Sequence, residues 1–259
     1  MATMPILFDL DDTLVVEEAS AEAAFLATCE RAREQYGIAP KALYQAVRHH
    51  ARQLWRASST ITYCRTIGIS SWEGLWARFS GDDPNLKILH QWALTYRREA
   101  WARALADQDV HDLSFAEQLA ALFPVERRAR HVAFPEVETV LKDLIGNYRL
   151  ALVTNGVPDL QHERIQGADL AQYFDAVIIS GEMGVGKPDP RIFALALDKL
   201  AVCPGRAVMV GDSLARDIHG AQQADLKGIW INRSGVDCDE EITPDAQIAS
   251  LSELRDVLQ

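Results

Sequence analysis

The feature that most constrains this chain is a short apolar run, Ile6-Leu7-Phe8, that stops abruptly at Asp9-Leu10-Asp11-Asp12-Thr13. A buried parallel strand reads this way when its C-terminal end reaches a site. No convincing strand follows between Ala19 and Ala129. The first strand can therefore pair only with strands far along the chain, and the intervening block must be an excursion from a single sheet.

That block carries helical periodicities. Ala21, Phe25, Cys29, Ala32 and Tyr36 share one face, with Gly37 as a C-cap. Leu43, Val47, Ala51 and Leu54 form a second stripe after Pro40, a favourable first-turn residue. The capping pattern Ser70-x-x-Glu73 predicts a third helix bearing Trp72, Leu75, Trp76 and Phe79. Leu89, Trp92 and Tyr96 mark a longer helix. Ser114-x-x-Glu117 opens another, which Pro124 is expected to end.

From Val137 the pattern alternates. Helical stretches separate the runs Arg149–Thr154, Ala176–Ser180, Ala207–Val210 and Gly228–Asn232. Short apolar runs spaced by helices imply βαβ units and a parallel sheet. The fold class expected is α/β, a Rossmann-like doubly wound parallel sheet with an inserted all-helical cap domain. The expected boundaries are 1–16 and 131–259 for the core and 17–130 for the insert.

Composition restricts partners more than fold. The chain has 259 residues and a formal net charge of −11, so nucleic acid and anionic membrane surfaces are not expected as bulk partners. An anionic substrate is compatible if positive charge is concentrated locally. The four cysteines, Cys29, Cys64, Cys203 and Cys238, form no C-x-x-C pair, which argues against a zinc or redox motif. Adjacent His49 and His50 read as surface residues. With no signal-peptide pattern and no run of membrane-spanning length, a cytoplasmic setting is expected.

Four strand ends bear polar groups, and in open parallel sheets such ends form the ligand crevice. Asp9 and Asp11 lie two apart and can face one side; their repulsion calls for a cation or a shared proton. One can then serve as nucleophile while the other handles protons. Thr13 and Leu14 rule out a calcium loop, because they stand where a ligand side chain and a glycine are required. Thr154-Asn155-Gly156 offers a hydroxyl and backbone N–H groups to an anion. Gly181 to Lys187 matches a P-loop until Pro188, which supplies no hydroxyl for a metal, so the segment is better read as a loop delivering Lys187 to the crevice. Gly211-Asp212-Ser213 closes the set, with Asp217 on the next helix able to support Lys187 or a metal's water shell.

Phe8-Asp9-Leu10-Asp11-Asp12-Thr13-Leu14, Val153-Thr154-Asn155-Gly156, Gly186-Lys187-Pro188-Asp189-Pro190 and Gly211-Asp212-Ser213 with Asp217 together resemble the four motifs of the haloacid dehalogenase-like hydrolase superfamily. The insert looks like that family's C1 cap, as in its capped phosphatases. Two positions depart from the usual pattern: Phe134-Pro135-Glu136-Val137 replaces Pro-Gly-Val, and Asp225 stands where glycine is common. Asp tolerates the left-handed backbone that such a position requires.

The resemblance implies a Mg2+-dependent phosphatase acting on a small phosphorylated metabolite as monomer or homodimer. It implies Asp9 as nucleophile and Asp11 as general acid and base, with Thr154, Asn155 and Lys187 on the phosphate. It further implies that Asp9, the carbonyl of Asp11 and Asp212 hold the metal, and that Thr13, Ser213 and Asp217 support them. A phosphomutase shares these motifs. A dehalogenase needs neither Asp11 nor magnesium. The substrate is not legible: Trp55, Trp72 and Trp76 of the insert read as core, and Arg52, Arg56 and Arg65 as a solvated face.

Overall fold

The computed structural model describes residues 4–202, 207–237 and 241–258. Cys203 and Cys238 lie outside the described residues. Cys29 and Cys64 are buried free thiols, and burial pushes them up to about 12 and about 11, where they are inert at neutral pH.

Two compact units emerge: Met1–Val16 with Val132–Gly156 and Gln161–Gln259, and Glu17–His131 with Val157–Leu160. The sequence reading leaves Val157–Leu160 with the core. Val157 and Leu160 instead belong to the apolar cluster of the helical unit, which is the reason for the difference.

The first unit is a six-stranded parallel sheet of order β3-β2-β1-β4-β5-β6. Its strands are β1 (Pro5–Phe8), β2 (Arg149–Thr154), β3 (Ala176–Ile179), β4 (Val208–Gly211), β5 (Lys227–Ile231) and β6 (Ala246–Ile248). β1 is central, with Phe8 facing Leu152 on one side and Val210 on the other. Asp9 N continues the ladder by donating to Val210 O at 2.9 Å. Alternate side chains serve opposite faces, as the two-residue period of a strand requires. Ile6 and Phe8 pack with Val137, Leu141 and Leu144 of α6 (Val137–Leu144). Leu7 packs with Ile192, Phe193 and Ala196 of α9 (Pro190–Leu200) on the other face. Each of these side chains other than Ala196, fully buried, contributes about 1.5–3 kcal/mol. β6 is not anticipated by the sequence pattern: Ala-Gln-Ile is too short and weakly apolar to register, and its pairing with Ile229 to Ile231 defines it.

The inserted unit is all-helical: α1 (Glu18–Tyr36), α2 (Pro40–Arg56), α3 (Ile61–Ile67), α4 (Pro84–Ala106) and α5 (Leu113–Arg128). Phe25 of α1 stacks on Phe123 of α5 with centroids 4.1 Å apart. Two expectations fail here. The third helix is only a 3-10 turn, Glu73–Leu75, although the Ser70–Glu73 capping contacts form. Gly74 lies so close to the Trp55 ring that an added Cβ would sit 2.5 Å from it, and Phe79 adopts φ 54, so packing rather than local propensity sets this segment. Pro124 does not end α5, which Asp112 caps by accepting from Phe115 N. The turn beyond Pro124 buries Arg127 in an ion pair with Glu17, and that contact holds the helix together past the missing N–H. α3 has no counterpart in the sequence reading. Tyr36 is exposed, with its hydroxyl donating to Asp112. Among the described residues no helix is long and apolar enough to cross a membrane.

Candidate active site

All the motif residues lie in the first unit, at the C-terminal edge of its sheet. Asp9 follows β1, Thr154 ends β2, and Asp212 follows β4. Strands β2 and β4 flank β1, so the three are neighbours by topology alone, at the point where the strand order reverses. Lys187 arrives on the loop between the one-turn helix α8 (Ser180–Met183) and α9, ahead of a cis peptide to Pro188.

Lys187 is the hub. Its Nζ donates to Asp9 Oδ1 at 2.5 Å and stands 2.7 Å from Asp217 Oδ1. Burial opposes its charge, but Asp217 and Asp9 outweigh this and raise its pKa. The loop is held by Asn155, whose side chain donates to Lys187 O and accepts from Lys187 N, both at 2.8 Å. The Asn155 side chain thus serves as a clamp on Lys187, a role the motif does not announce.

Asp9 is buried, and Thr13 Oγ1 donates to its Oδ2 at 3.2 Å. Burial chiefly raises the Asp9 carboxyl to about 7; Lys187 works against this, and Asp217 and Asp11 add to it. Asp212 rises to about 8, again mainly by desolvation and then by the charges of Asp9 and Asp217. The residue as a whole is exposed. Trp230 on β5 donates its indole N–H to the Asp212 carbonyl at 2.8 Å.

Asp217 sits on a single π-turn, Leu214–Ile218, which Ser213 caps by accepting from Arg216 N. Ser213 N in turn donates to Asp217 Oδ2 at 3.0 Å. A Cβ on Gly211 would fall 2.3 Å from that same oxygen. Gly211 is therefore the residue that lets Asp217 lie across the strand end.

Oxygens of Asp9, Asp212 and Asp217 come within 4.8 Å of one another. Hard carboxylate oxygens at this separation, two of them reluctant to ionise together, suit a small divalent cation such as magnesium. The Asp11 side chain is not part of the cluster. Its Oδ2 accepts from Gln161 Nε2 at 3.0 Å and from Arg164 Nη1 at 3.2 Å, both on α7 (Pro158–Gly167). Gln161 Nε2 also lies 2.6 Å from Thr154 Oγ1. Thr154 accepts there and keeps its own O–H for another acceptor.

Four residues of this constellation escape the sequence reading: Gln161, Arg164, Trp230 and Arg233. Arg233 donates to Thr13 O at 2.8 Å and pairs with Glu136 at 2.7 Å. Gln161 and Arg164 look like surface residues of a polar helix, and their shared face at spacing i, i+3 was the only available hint. Trp230 and Arg233 carried no signal, because each acts on a backbone carbonyl distant in sequence.

The profile of haloacid dehalogenase-like hydrolases matches residues 5–225. A phosphoserine phosphatase of Thermus thermophilus is 38% identical over 250 residues, 96% of either chain. An N-acylneuraminate-9-phosphatase of Mus musculus is 36% identical over 167 residues, 63% of this chain and 67% of its own. Among solved structures, a 2-haloacid dehalogenase from Pseudomonas syringae superposes with a TM-score of 0.61 at 30% identity, covering 99% of this chain and 98% of that one. The magnesium-bound HAD-hydrolase YfnB from Bacillus subtilis gives 0.66 at 20% identity over the whole of both chains, a likeness of fold.

Proposed function

The chain belongs to the haloacid dehalogenase-like hydrolase family, and we propose that it is a magnesium-dependent phosphatase of a small phosphorylated metabolite, working through an aspartyl phosphate on Asp9. The carrying observation is the junction of Asp9, Lys187 and Asp212 at one sheet edge. We read the helical unit as the family's cap.

Asp9 attacks phosphorus in line, and the phosphorus–oxygen bond to the alcohol breaks. Asp11 gives the departing oxygen its proton, then takes one from the water that cleaves the acyl phosphate. The Thr154 hydroxyl, the Asn155 N–H and the Lys187 ammonium hold the phosphoryl oxygens. Asp217 keeps Lys187 charged and aimed. Asp9, the carbonyl of Asp11 and Asp212 would hold magnesium, which offsets the charge of substrate and carboxylates together.

The test is a panel of phosphorylated sugars, acids and nucleotides assayed for inorganic phosphate with magnesium, and again with chelator. Release that chelation abolishes supports the reading. Inertness across the panel overturns it. The likeness to a 2-haloacid dehalogenase supports a second reading, which chloride release from a 2-haloacid without metal would establish. Phosphate retained on an isomerised sugar would indicate a phosphomutase.

A further inference from the structure

Asp11 is held from below by two buried side chains. Gln161 and Arg164 lie three residues apart on α7, and both donate to the same oxygen, Asp11 Oδ2. They are also tied to each other, since Arg164 Nη1 donates to Gln161 Oε1 at 2.5 Å. The two amide hydrogens of Gln161 are shared among three acceptors, Asp11 Oδ2, Thr154 Oγ1 and the Asn155 carbonyl at 2.7 Å. The Arg164 side chain is 1% exposed and that of Asp11 25%. Asp11 Oδ1 is screened from solvent and receives no hydrogen bond among the described residues.

Space for this arrangement is built into the turn after Thr154. Gly156 has φ 147, and a Cβ there would stand 3.0 Å from the Gln161 amide. A buried guanidinium is costly, and a well-packed apolar side chain would serve the fold as well or better. The placement of Arg164 beside the carboxylate that must exchange a proton calls for another account.

We infer that Gln161 and Arg164 are positioning residues for proton transfer: by donating to Oδ2 of Asp11 they fix the carboxyl group that meets the leaving group. The inference rests on the phosphatase reading above. In the first step the electron pair of the breaking phosphorus–oxygen bond goes to the alcohol oxygen, which takes the proton from the Asp11 carboxyl. In the second, water's oxygen bonds phosphorus, the Asp9–phosphorus bond breaks, and water's proton returns to the Asp11 carboxylate. Gln161 and Arg164 exchange no proton in either step. By locking the carboxylate plane they keep Asp11 in reach of both oxygens.

The experiment compares phenyl phosphate with p-nitrophenyl phosphate, two esters of similar shape whose leaving groups differ in their need for a proton. Arg164→Met and Gln161→Met should lower kcat on phenyl phosphate on the order of 10- to 100-fold, part of what general acid catalysis supplies. On p-nitrophenyl phosphate the loss should stay within about 3-fold, because nitrophenolate leaves without a proton. Arg164→Met added to Asp11→Asn should cost nothing further, since the two act as one unit. Arg164→Lys should recover part of the loss. If Arg164→Met does not fold, Gln161→Met and Arg164→Lys carry the same comparison. Equal losses on both esters, or additivity with Asp11→Asn, overturn the positioning role alone. Full activity of Asp11→Asn on phenyl phosphate leaves the phosphatase reading standing and overturns the positioning; inertness of the native chain toward both esters and the wider panel overturns both.

Discussion

Lys187 Nζ stands 2.5 Å from Asp9 Oδ1 across 178 residues of chain, and the same ammonium is 2.7 Å from Asp217 Oδ1. One buried cation thus serves two buried carboxylates, with Asp212 close by. The balance of charge is negative, and both the stability and the chemistry of the site follow from it.

Removing the hub should unfold the protein more easily. Lys187→Met leaves Asp9 and Asp217 buried without their cation, a change of about 3–5 kcal/mol by analogy with other broken buried pairs. The loss should be larger at pH 8 than at pH 5, where the carboxylates can take up protons. Denaturant unfolding at the two pH values measures it, and an unchanged midpoint at pH 8 contradicts the hub assignment.

Replacing the proposed nucleophile should abolish turnover while leaving the fold. Asp9→Asn keeps the shape, removes a charge whose burial is unfavourable, and should lower phosphate release on the order of 10³-fold or more. Wild-type rates in this variant would remove Asp9 from its role.

The pH dependence has a definite sign. Asp9 near 7 and Asp212 near 8 both lie above their ordinary value of 3.8. Between about pH 4 and pH 8 the native state without metal therefore binds more protons than the unfolded chain, and stability falls as pH rises through that window. Magnesium should flatten the trend and release protons as it binds, with affinity rising toward pH 8. Thermal unfolding with chelator and with magnesium, and calorimetry in buffers of different ionisation enthalpy, test both statements. A flat chelator curve, or binding without proton release, would count against the cluster.

Gly211→Ala tests the close approach of Asp217. The new Cβ, 2.3 Å from Asp217 Oδ2, must displace the carboxylate and slacken Lys187. A destabilisation of about 1–3 kcal/mol is expected, typical of overpacking, together with a weaker hold on phosphate. Unfolding midpoints, with inorganic phosphate as a competitive inhibitor, provide the readout.

Trp230→Phe removes the indole N–H that holds the Asp212 carbonyl and, at a buried position, part of the ring volume with it. The expected loss of stability exceeds the ~1 kcal/mol of a single hydrogen bond, because the smaller ring also leaves a cavity. Magnesium affinity, measured by calorimetry, should fall more than turnover at saturating metal. Unaltered affinity would mean that Asp212 needs no such support.

Much of this was legible along the chain because strand ends and their polar residues are local patterns. Asp9, Thr154 and Asp212 each end or follow a short apolar run, a parallel sheet leaves those ends one common edge, and Lys187 reaches it on the glycine-bearing loop ahead of α9. The helical unit was less legible. Pro124 and Glu73 carry correct local signals, yet burial of Arg127 beyond the proline and contact of Gly74 with Trp55 override them.

The sequence by itself determined the parallel α/β sheet, the helical insert and the residues bearing charge at the strand ends, because strand alternation, apolar runs and motif spacing are properties of neighbours in the chain. Only the tertiary structure decided what each charge faces. Arg164 and Gln161 met Asp11, Asn155 closed on Lys187, and Trp230 found the Asp212 carbonyl through contacts between distant segments, where hydrogen-bond geometry in a buried space leaves no trace in local composition.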